Sequence, residues 1–191
     1  MHSDQIQHVP ATTSSSASFR ASQLKIDAPA RVACVVDFDN VCSRRGKYGK
    51  RAWACLDVVR FVSALRERGV STGTVCQNDY LGVCGSKLWT AAGFRSVATG
   101  QNVDDTVKLV AATYALEGLD WLVLVASDGG YAEIIKIIRD CKIRVEVWAL
   151  REAAARPLLY VADSVRWIDD FVVEPSHRPT KDKRSSFKVA A

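Results

Sequence analysis

The stretch Arg31-Val-Ala-Cys-Val-Val-Asp-Phe-Asp-Asn40 joins an unbroken apolar run directly to two carboxylates and an amide. A short apolar run of this kind is typical of a strand that is buried on both faces of a parallel sheet. Charged groups at the tip of a buried strand are costly unless they face a cleft, a metal ion or a partner. Because ligands of open parallel sheets lie at the carboxyl ends of the strands, Asp37 and Asn40 are predicted to open an acidic site.

The rest of the chain alternates between strand-like apolar runs and segments with helical spacing. The predicted strands are 32–38, 70–76, 94–98, 121–125, 143–150 and 165–173, the last containing Asp169 and Asp170. The predicted helices are 52–68, 81–92, one beginning near Asp104, one following Ser127-Asp-Gly-Gly130, and 151–162, in which Pro157 kinks or restarts the helix. This alternation predicts an α/β three-layer sandwich, with a mainly parallel sheet of about five to six strands covered by helices on both faces.

Length and composition predict one domain with two flanking segments. The 191 residues are 48% apolar, enough for a substantial core. The domain is expected to span 30–173, between a Ser/Thr-rich, disordered N-terminal segment (1–29) and a basic C-terminal tail (174–191). The tails are candidate sites for a protein partner or for self-association.

Several functional classes are disfavoured by what the sequence lacks. No apolar run approaches the roughly 20 residues that cross a bilayer, and no secretory signal is recognisable, so no membrane partner is expected. The six cysteines lack CxxC or zinc spacing, and Cys34, Cys55 and Cys141 fall on predicted apolar faces. We therefore expect free thiols in an intracellular, reducing compartment, most simply the cytoplasm. All three histidines lie in the predicted tails, which argues against a catalytic triad or a Cys–His pair.

Three acidic positions follow three different predicted strands. Asp37 ends the first strand, Asp104 follows the third, and Asp128 follows the fourth. On one parallel sheet all three lie along the same edge, where clustered carboxylates require a cation. Hard oxygen ligands suit Mg²⁺ or Mn²⁺, which can orient a phosphodiester and activate water. A helix N-cap is an equal alternative for Asp104 or Asp128, because Asp is a favoured capping residue.

A basic segment follows the first acidic residues. Residues 43–51 form a predicted glycine-containing loop with five cations and no acid: Arg44, Arg45, Lys47, Lys50 and Arg51. These cations would border the same cleft as Asp37, and Lys and Arg bind phosphate backbones with release of counterions. A solvated flexible loop is the alternative interpretation.

Taken together, three motifs resemble the NYN domain, a family of the PIN-like ribonuclease group. They are Val35-Val-Asp-Phe-Asp-Asn-Val41, Asn102-Val-Asp104 ahead of a helix, and Leu122-Val-Leu-Val-Ala-Ser-Asp-Gly-Gly-Tyr131 before Arg144-Val-Glu-Val-Trp-Ala-Leu150. The resemblance covers residues 31–173 and implies a PIN-like fold. It also implies a metal-dependent ribonuclease acting on RNA, with Asp37, Asn40, Asp104 and Asp128 as the metal and catalytic positions.

The chain differs from many relatives of that family at three places. They carry Asp at the position of Gly130, Lys at Gln101 and a further acid at Ala111, so Asp105 becomes an additional candidate metal ligand. A catalytically weak RNA- or protein-binding module on the same fold is therefore one alternative function.

A second alternative is a phosphatase similar to the haloacid dehalogenases. There, Asp37 would attack phosphorus and Asp39 would protonate the leaving group. A dinucleotide-binding domain is disfavoured because no GxGxxG follows the first strand.

Overall fold

The computed structural model describes residues 30–45, 51–53, 55–78, 86–100 and 102–173. The strands are β1 (Val32–Asp37), β2 (Ser43–Arg45), β3 (Arg51–Trp53), β4 (Cys55–Leu56), β5 (Val70–Asn78), β6 (Arg95–Thr99), β7 (Trp121–Val125), β8 (Arg144–Ala149), β9 (Ser164–Trp167) and β10 (Val172–Val173). The helices are α1 (Phe38–Cys42), α2 (Val58–Glu67), α3 (Ser86–Ala91), α4 (Val103–Leu116), α5 (Ala132–Asp140) and α6 (Arg156–Val161).

Six strands form one parallel sheet in the order β6-β5-β1-β7-β8-β9. In chain order this is the doubly wound arrangement 3-2-1-4-5-6, in which the direction of winding reverses between β1 and β7. The predicted α/β fold with a parallel sheet of five to six strands is therefore confirmed. The two remaining pairs, β2 with β3 and β4 with β10, are antiparallel.

Strand β1 lies between β5 and β7 in the sheet, and every one of its residues is buried. Its side chains alternate between two cores. Ala33 and Val35 pack with α4, α5 and α6 on one face of the sheet. Cys34 and Val36 pack with α2 and α3 on the other face. The apolar run that suggested a doubly covered strand thus supplies both layers of helices with contacts.

Several predicted boundaries were wrong. The helix predicted over 52–68 begins only at Val58, because the Asp57 side chain accepts the Arg60 amide hydrogen at 3.1 Å and caps it. The helical spacing of Cys55 continued the pattern across that cap, although Cys55 lies in a short strand. Asp169 and Asp170 lie in a 3₁₀ turn between β9 and β10 rather than inside a strand.

The structure also bears on the predictions for the cysteines, Pro157, membrane-spanning helices and the two tails. Cys34 and Cys76 are buried free thiols, whereas Cys141 is an exposed free thiol, contrary to its predicted apolar position. Pro157 lies in the first turn of α6, where proline is tolerated. Of the helices in the described ranges, none has both the length and the apolar composition needed to cross a bilayer. The predicted tails, 1–29 and 174–191, lie outside the described residues.

Candidate active site

The candidate site lies at the carboxyl edge of the sheet, where the winding direction reverses between β1 and β7. Asp37 is the last residue of β1 and is only 1% exposed. Ligand sites of open α/β sheets occur at this switch point, because the connections leave it in opposite directions and open a crevice. The fold therefore puts the most deeply buried carboxylate of the site at the place where a ligand crevice is expected.

Asp37 and Asp104, which we call the acidic pair, meet at the hydroxyl of Tyr131. That oxygen lies 2.5 Å from Asp37 Oδ2 and 2.9 Å from Asp104 Oδ1. The two carboxylate oxygens are therefore no further apart than the sum of 2.5 Å and 2.9 Å. A phenol has one hydrogen to donate, so it satisfies only one of the two carboxylates at a time. The other carboxylate is left to a proton, a cation or a water molecule.

Burial and charge both act on the protonation of this cluster. The pKa of Asp37 is raised from 3.8 to about 6, first by burial and then by the charges of Asp104 and Asp39. The hydrogen bonds from Tyr131 and from the Asn40 amide act in the opposite direction but do not cancel the effect of burial. Burial and the Asp37 charge raise the pKa of Tyr131 far above its usual value, so the phenol remains a donor.

Asn40 joins the ends of β1 and β7. Its backbone N–H donates to Asp37 Oδ1 at 3.0 Å, and its side-chain oxygen accepts the Ser127 amide hydrogen at 2.7 Å. Ser127 in turn accepts the Leu150 amide hydrogen through its hydroxyl at 3.1 Å. Because the Asn40 oxygen is engaged with the backbone, only its NH₂ group can face a ligand or a bound water.

Asp128 takes the capping role that was the alternative to metal binding. It precedes a 3₁₀ turn (Gly129–Tyr131), and its Oδ1 accepts the Gly130 amide hydrogen at 2.8 Å. The side chain is exposed, unlike that of Asp37. Throughout the described ranges, no group of three or more His, Cys, Asp or Glu side chains is placed to hold a metal ion. The structure thus brings Asp37 and Asp104 together without Asp128 as a third member.

Asp104 and Asp105 both lie in the first turn of α4, but their side chains have different surroundings. Asn102 caps the helix by accepting the Asp104 amide hydrogen at 3.3 Å, so Asp104 itself is not the cap. Asp105 lies 4.0 Å from Lys108 Nζ and is 75% exposed. The same Lys108 nitrogen lies 6.0 Å from the centroid of the Tyr131 ring. Lys108 is therefore a cation beside Asp105 and the ring of Tyr131.

Two further predicted features flank the pair. Asp39 Oδ1 accepts the amide hydrogen of Asn78, the last residue of β5, at 3.2 Å. The basic segment predicted as a loop contains a hairpin, since β2 and β3 pair with Arg45 opposite Arg51. The hairpin begins directly after α1, which itself follows β1 in the chain. Lys47 and Lys50 lie outside the described residues.

Tyr131 and Lys108 were not predicted as residues of the site. The ring of Tyr131 packs among the buried residues of the core. Its hydroxyl is nevertheless polar and lies one turn after Asp128, and a buried phenol usually has a hydrogen-bond partner. Lys108 lies four residues after Asp104 on α4, a spacing that puts two side chains on one helix face.

Comparison with known proteins supports the fold and no more. No family model matches this sequence, and no curated protein matches it. Among solved structures, a protein of unknown function from Vibrio parahaemolyticus is similar at 22% identity with a TM-score of 0.64, over 77% of this chain and 98% of that one. A hypothetical protein from Xanthomonas campestris matches at 12% identity with a TM-score of 0.40, over 76% of this chain and 79% of that one.

Proposed function

We propose that this chain is a metal-dependent ribonuclease of the PIN-like class, which hydrolyses RNA phosphodiester bonds at the acidic pair. The observation on which this depends is the meeting of Asp37 and Asp104 at one phenol hydrogen, at the switch point of the sheet. The resemblance of the three sequence motifs to the NYN domain supports the same function.

The chemistry of the acidic pair fits Mg²⁺ or Mn²⁺. Both donors are hard carboxylate oxygens, and together they carry more negative charge than Tyr131 can satisfy. Magnesium is often held by one or two carboxylates, with water and substrate phosphate completing its coordination, so a two-carboxylate site is sufficient. Asp37 and Asp104 would hold the ion, which supplies an activated water and stabilises charge on the phosphodiester.

The other residues of the site orient and bind. Tyr131 holds the two carboxylates side by side by donating to either of them. Asn40 fixes the end of β1 against the end of β7 and leaves its NH₂ group to bind a ligand oxygen. Lys108 and the arginines Arg44, Arg45 and Arg51 would bind RNA phosphates on either side of the scissile bond.

The geometry supports a nuclease better than a phosphatase. As the general acid of a phosphatase, Asp39 would need to face the crevice, but its Oδ1 accepts the amide hydrogen of Asn78 at the end of β5. This arrangement disfavours the phosphatase role of Asp39.

Cleavage assays with and without metal test the proposal. Purified protein is incubated with single-stranded and structured RNA, in Mn²⁺ or in EDTA, beside Asp37→Asn and the matched control Asp39→Asn. We expect cleavage only with metal, a loss of about 10²–10³-fold for Asp37→Asn, and retained activity for Asp39→Asn. Cleavage by Asp37→Asn at the wild-type rate would show that the acidic pair is not the catalytic site.

The two alternative functions give different results in the same experiment. A phosphatase would hydrolyse small phosphomonoesters and would lose activity with Asp39→Asn. A non-catalytic module would bind RNA equally well with Asp37 or Asn at position 37, and would cleave nothing in either metal.

A further inference from the structure

The two faces of the sheet are covered unequally. In the described part of the chain, α4, α5 and α6 pack on one face, whereas the core on the other face receives its helical residues from α1, α2 and α3. These last three helices precede β6 in the chain and connect the strands at one end of the sheet, β1, β5 and β6. Parallel strands are normally covered on both faces. On the side of α2, β8 and β9 therefore lack a crossover helix of their own among the described residues.

Arginine and tryptophan side chains occupy this side of β8 and β9 instead. Neighbours in the register of β7, β8 and β9 project to the same side of the sheet, and Trp121 and Trp148 pack against the core beneath α2. We call this surface the Arg–Trp face, and it consists of Trp121, Arg144, Glu146, Trp148, Ser164 and Arg166, together with Arg68 from the end of α2.

The acidic member of the Arg–Trp face is already paired. Glu146 is bound by Arg68 Nε at 3.0 Å and accepts the indole hydrogen of Trp148 at 3.1 Å. The guanidinium of Arg68 also lies over the ring of Trp121, 4.9 Å from its centroid. Because Glu146 is engaged in this way, its charge is not available to the other two arginines of the face.

Arg144 and Arg166 are cations without a carboxylate. Their guanidinium carbons lie 4.6 Å from the centroid of Trp121 and 4.5 Å from that of Trp148. Neither side chain takes part in an ion pair or a hydrogen bond with the described residues. A guanidinium held against a ring has lost part of its freedom in advance, and its planar donors match the two oxygens of a carboxylate.

Two polar atoms of the same face also lack partners. The indole nitrogen of Trp121 and the hydroxyl of Ser164 are buried, and neither forms a hydrogen bond in the described structure. A buried polar group without a hydrogen bond is unfavourable. Together with the two arginines, these atoms mark a surface whose polar interactions are incomplete in the single chain.

The charge of the Arg–Trp face limits what can cover it. A second copy would bring three arginines and one glutamate against the same set, and such like charges repel. The C-terminal tail 174–191 is basic, and the N-terminal segment 1–29 has two acidic and two basic residues. Neither part of this chain therefore complements the face, whereas an acidic partner does.

The position of the face separates it from the proposed RNA site. Tyr131 and α4, which form the acidic pair with the end of β1, pack in the core on the opposite side of the sheet. Trp148 is fully buried, and the ring of Trp121 has two guanidinium groups over it. Little ring surface is left for a nucleic-acid base to stack on, so the face suits a protein better than RNA.

From these observations we propose that the Arg–Trp face docks an acidic helix of a partner protein, which covers β8 and β9 where the chain supplies no helix. Arg144 and Arg166 each bind a carboxylate of that helix. Arg166 lies opposite Trp148, four residues beyond Arg144, so the two Cα atoms are about 14 Å apart. The two carboxylates therefore lie two to three helical turns apart. This docking does not depend on the ribonuclease activity.

Binding of a synthetic peptide tests the proposal. The probe is a labelled helical peptide of about 18 residues of alanine and leucine, with glutamates on one face, and the matched peptide has glutamine at the same positions. Fluorescence anisotropy measures binding to the wild type and to Arg144→Gln/Arg166→Gln. The control variant is Lys87→Gln/Lys136→Gln, which removes two exposed cations from α3 and α5. Thermal unfolding checks that both variants are folded.

We expect the glutamate peptide to bind the wild type and the control alike, and to bind the arginine variant about tenfold more weakly. The glutamine peptide should not distinguish the three proteins. In NMR spectra, the indole N–H signal of Trp121, assigned with Trp121→Phe, should shift with the glutamate peptide only. Equal affinity of the arginine variant and the control for the glutamate peptide, or no binding by the wild type, would overturn the inference.

Two further measurements distinguish the other occupants. Single-stranded RNA of about 20 nucleotides, in EDTA to prevent cleavage, should bind equally to the arginine variant and to the control. Sedimentation should give the same mass for the wild type and the arginine variant. Weaker RNA binding by the arginine variant would make the face a nucleic-acid site, and a dimer that this variant loses would make it a contact between copies. Either result contradicts an acidic partner, and neither bears on cleavage at the acidic pair.

Discussion

Two buried carboxylates in this protein have opposite surroundings. Glu146 in β8 is 2% exposed and is met by two nitrogens of Arg68, at 3.0 and 3.3 Å, and by Trp148 Nε1 at 3.1 Å. Asp37 in β1 is 1% exposed, and the charges of two other carboxylates, Asp104 and Asp39, raise its pKa. The first carboxylate forms an ion pair with Arg68, whereas no ion pair of Asp37 is formed among the residues that the structure describes.

The difference separates a structural group from a group available to a ligand. A buried charge that is fully paired within the protein has no capacity for a further partner. A buried charge that repels its neighbours is unfavourable until a proton or a cation arrives. Such strain is common at functional sites, where stability is lost so that a ligand can restore it.

The largest change in stability is expected for Asp37→Asn. With a pKa of 3.8 unfolded and about 6 folded, Asp37 binds more protons in the folded state between these values. The free energy of unfolding therefore falls as pH rises from about 4 to about 6, by up to about 3 kcal/mol, and stays low above that. Asn at this position should raise stability by a similar amount at pH 8 and by little at pH 4.

Urea denaturation of both proteins at the two pH values measures this difference. Mn²⁺ at 100 times its dissociation constant should stabilise the wild type at pH 8 by about 2.7 kcal/mol and should not stabilise Asp37→Asn. A pH-independent difference between the two proteins would mean that burial does not perturb Asp37.

Arg68→Gln should leave the buried carboxylate of Glu146 without the cation that now pairs with it. Removing the cation leaves a buried carboxylate with only Trp148 as a donor, which costs about 2–3 kcal/mol at pH 7 once the partial exposure of Arg68 is considered. The double variant Arg68→Gln/Glu146→Gln should recover part of this loss. Chemical denaturation of the three proteins measures the coupling, and strictly additive effects would contradict the role of the pair.

Gly130→Asp should strengthen the acidic pair as a metal site. A Cβ at this position would lie 3.5 Å from Asp128 Oδ1, an ordinary contact, so the substitution is sterically allowed. An additional carboxylate should tighten Mn²⁺ binding about tenfold, measured by calorimetry. Gly130→Asn is the control of the same size, and it should leave the affinity unchanged. An equal gain for both variants would exclude a charge effect.

Lys142→Gly should give the smallest change, at the amino edge. Glycine removes the cost of a Cβ at positive φ, so thermal stability should rise by about 1 kcal/mol. A lower melting temperature would show that the lysine side chain stabilises the turn.

The buried strands were predictable because their signal is local. β1 and β7 are continuous apolar runs, and their short length and content of valine favour a buried strand over a buried segment of helix. The carboxyl-edge position of Asp37 follows from the same run. The start of α2 was predicted too early because the periodicity of apolar residues extends past Asp57, and the cap there decides where helical hydrogen bonding begins.

The partners within the site were not predictable to the same degree. Tyr131 and Asp37 are separated by 94 positions, and Arg68 and Glu146 by 78. No periodicity links such residues. Asp128 matched the spacing of a metal ligand, yet in the folded chain its carboxylate caps the turn that positions Tyr131.

The amino-acid sequence by itself determined the types of the elements, the burial of the central strands and the carboxylates at strand ends, because hydrophobic periodicity and capping act between near neighbours. Only the tertiary structure decided the order of the six strands, the meeting of Asp37 and Asp104 at Tyr131, and the pairing of Glu146 with Arg68. These depend on which distant faces bury each other, and many distant pairings are compatible with the same local patterns.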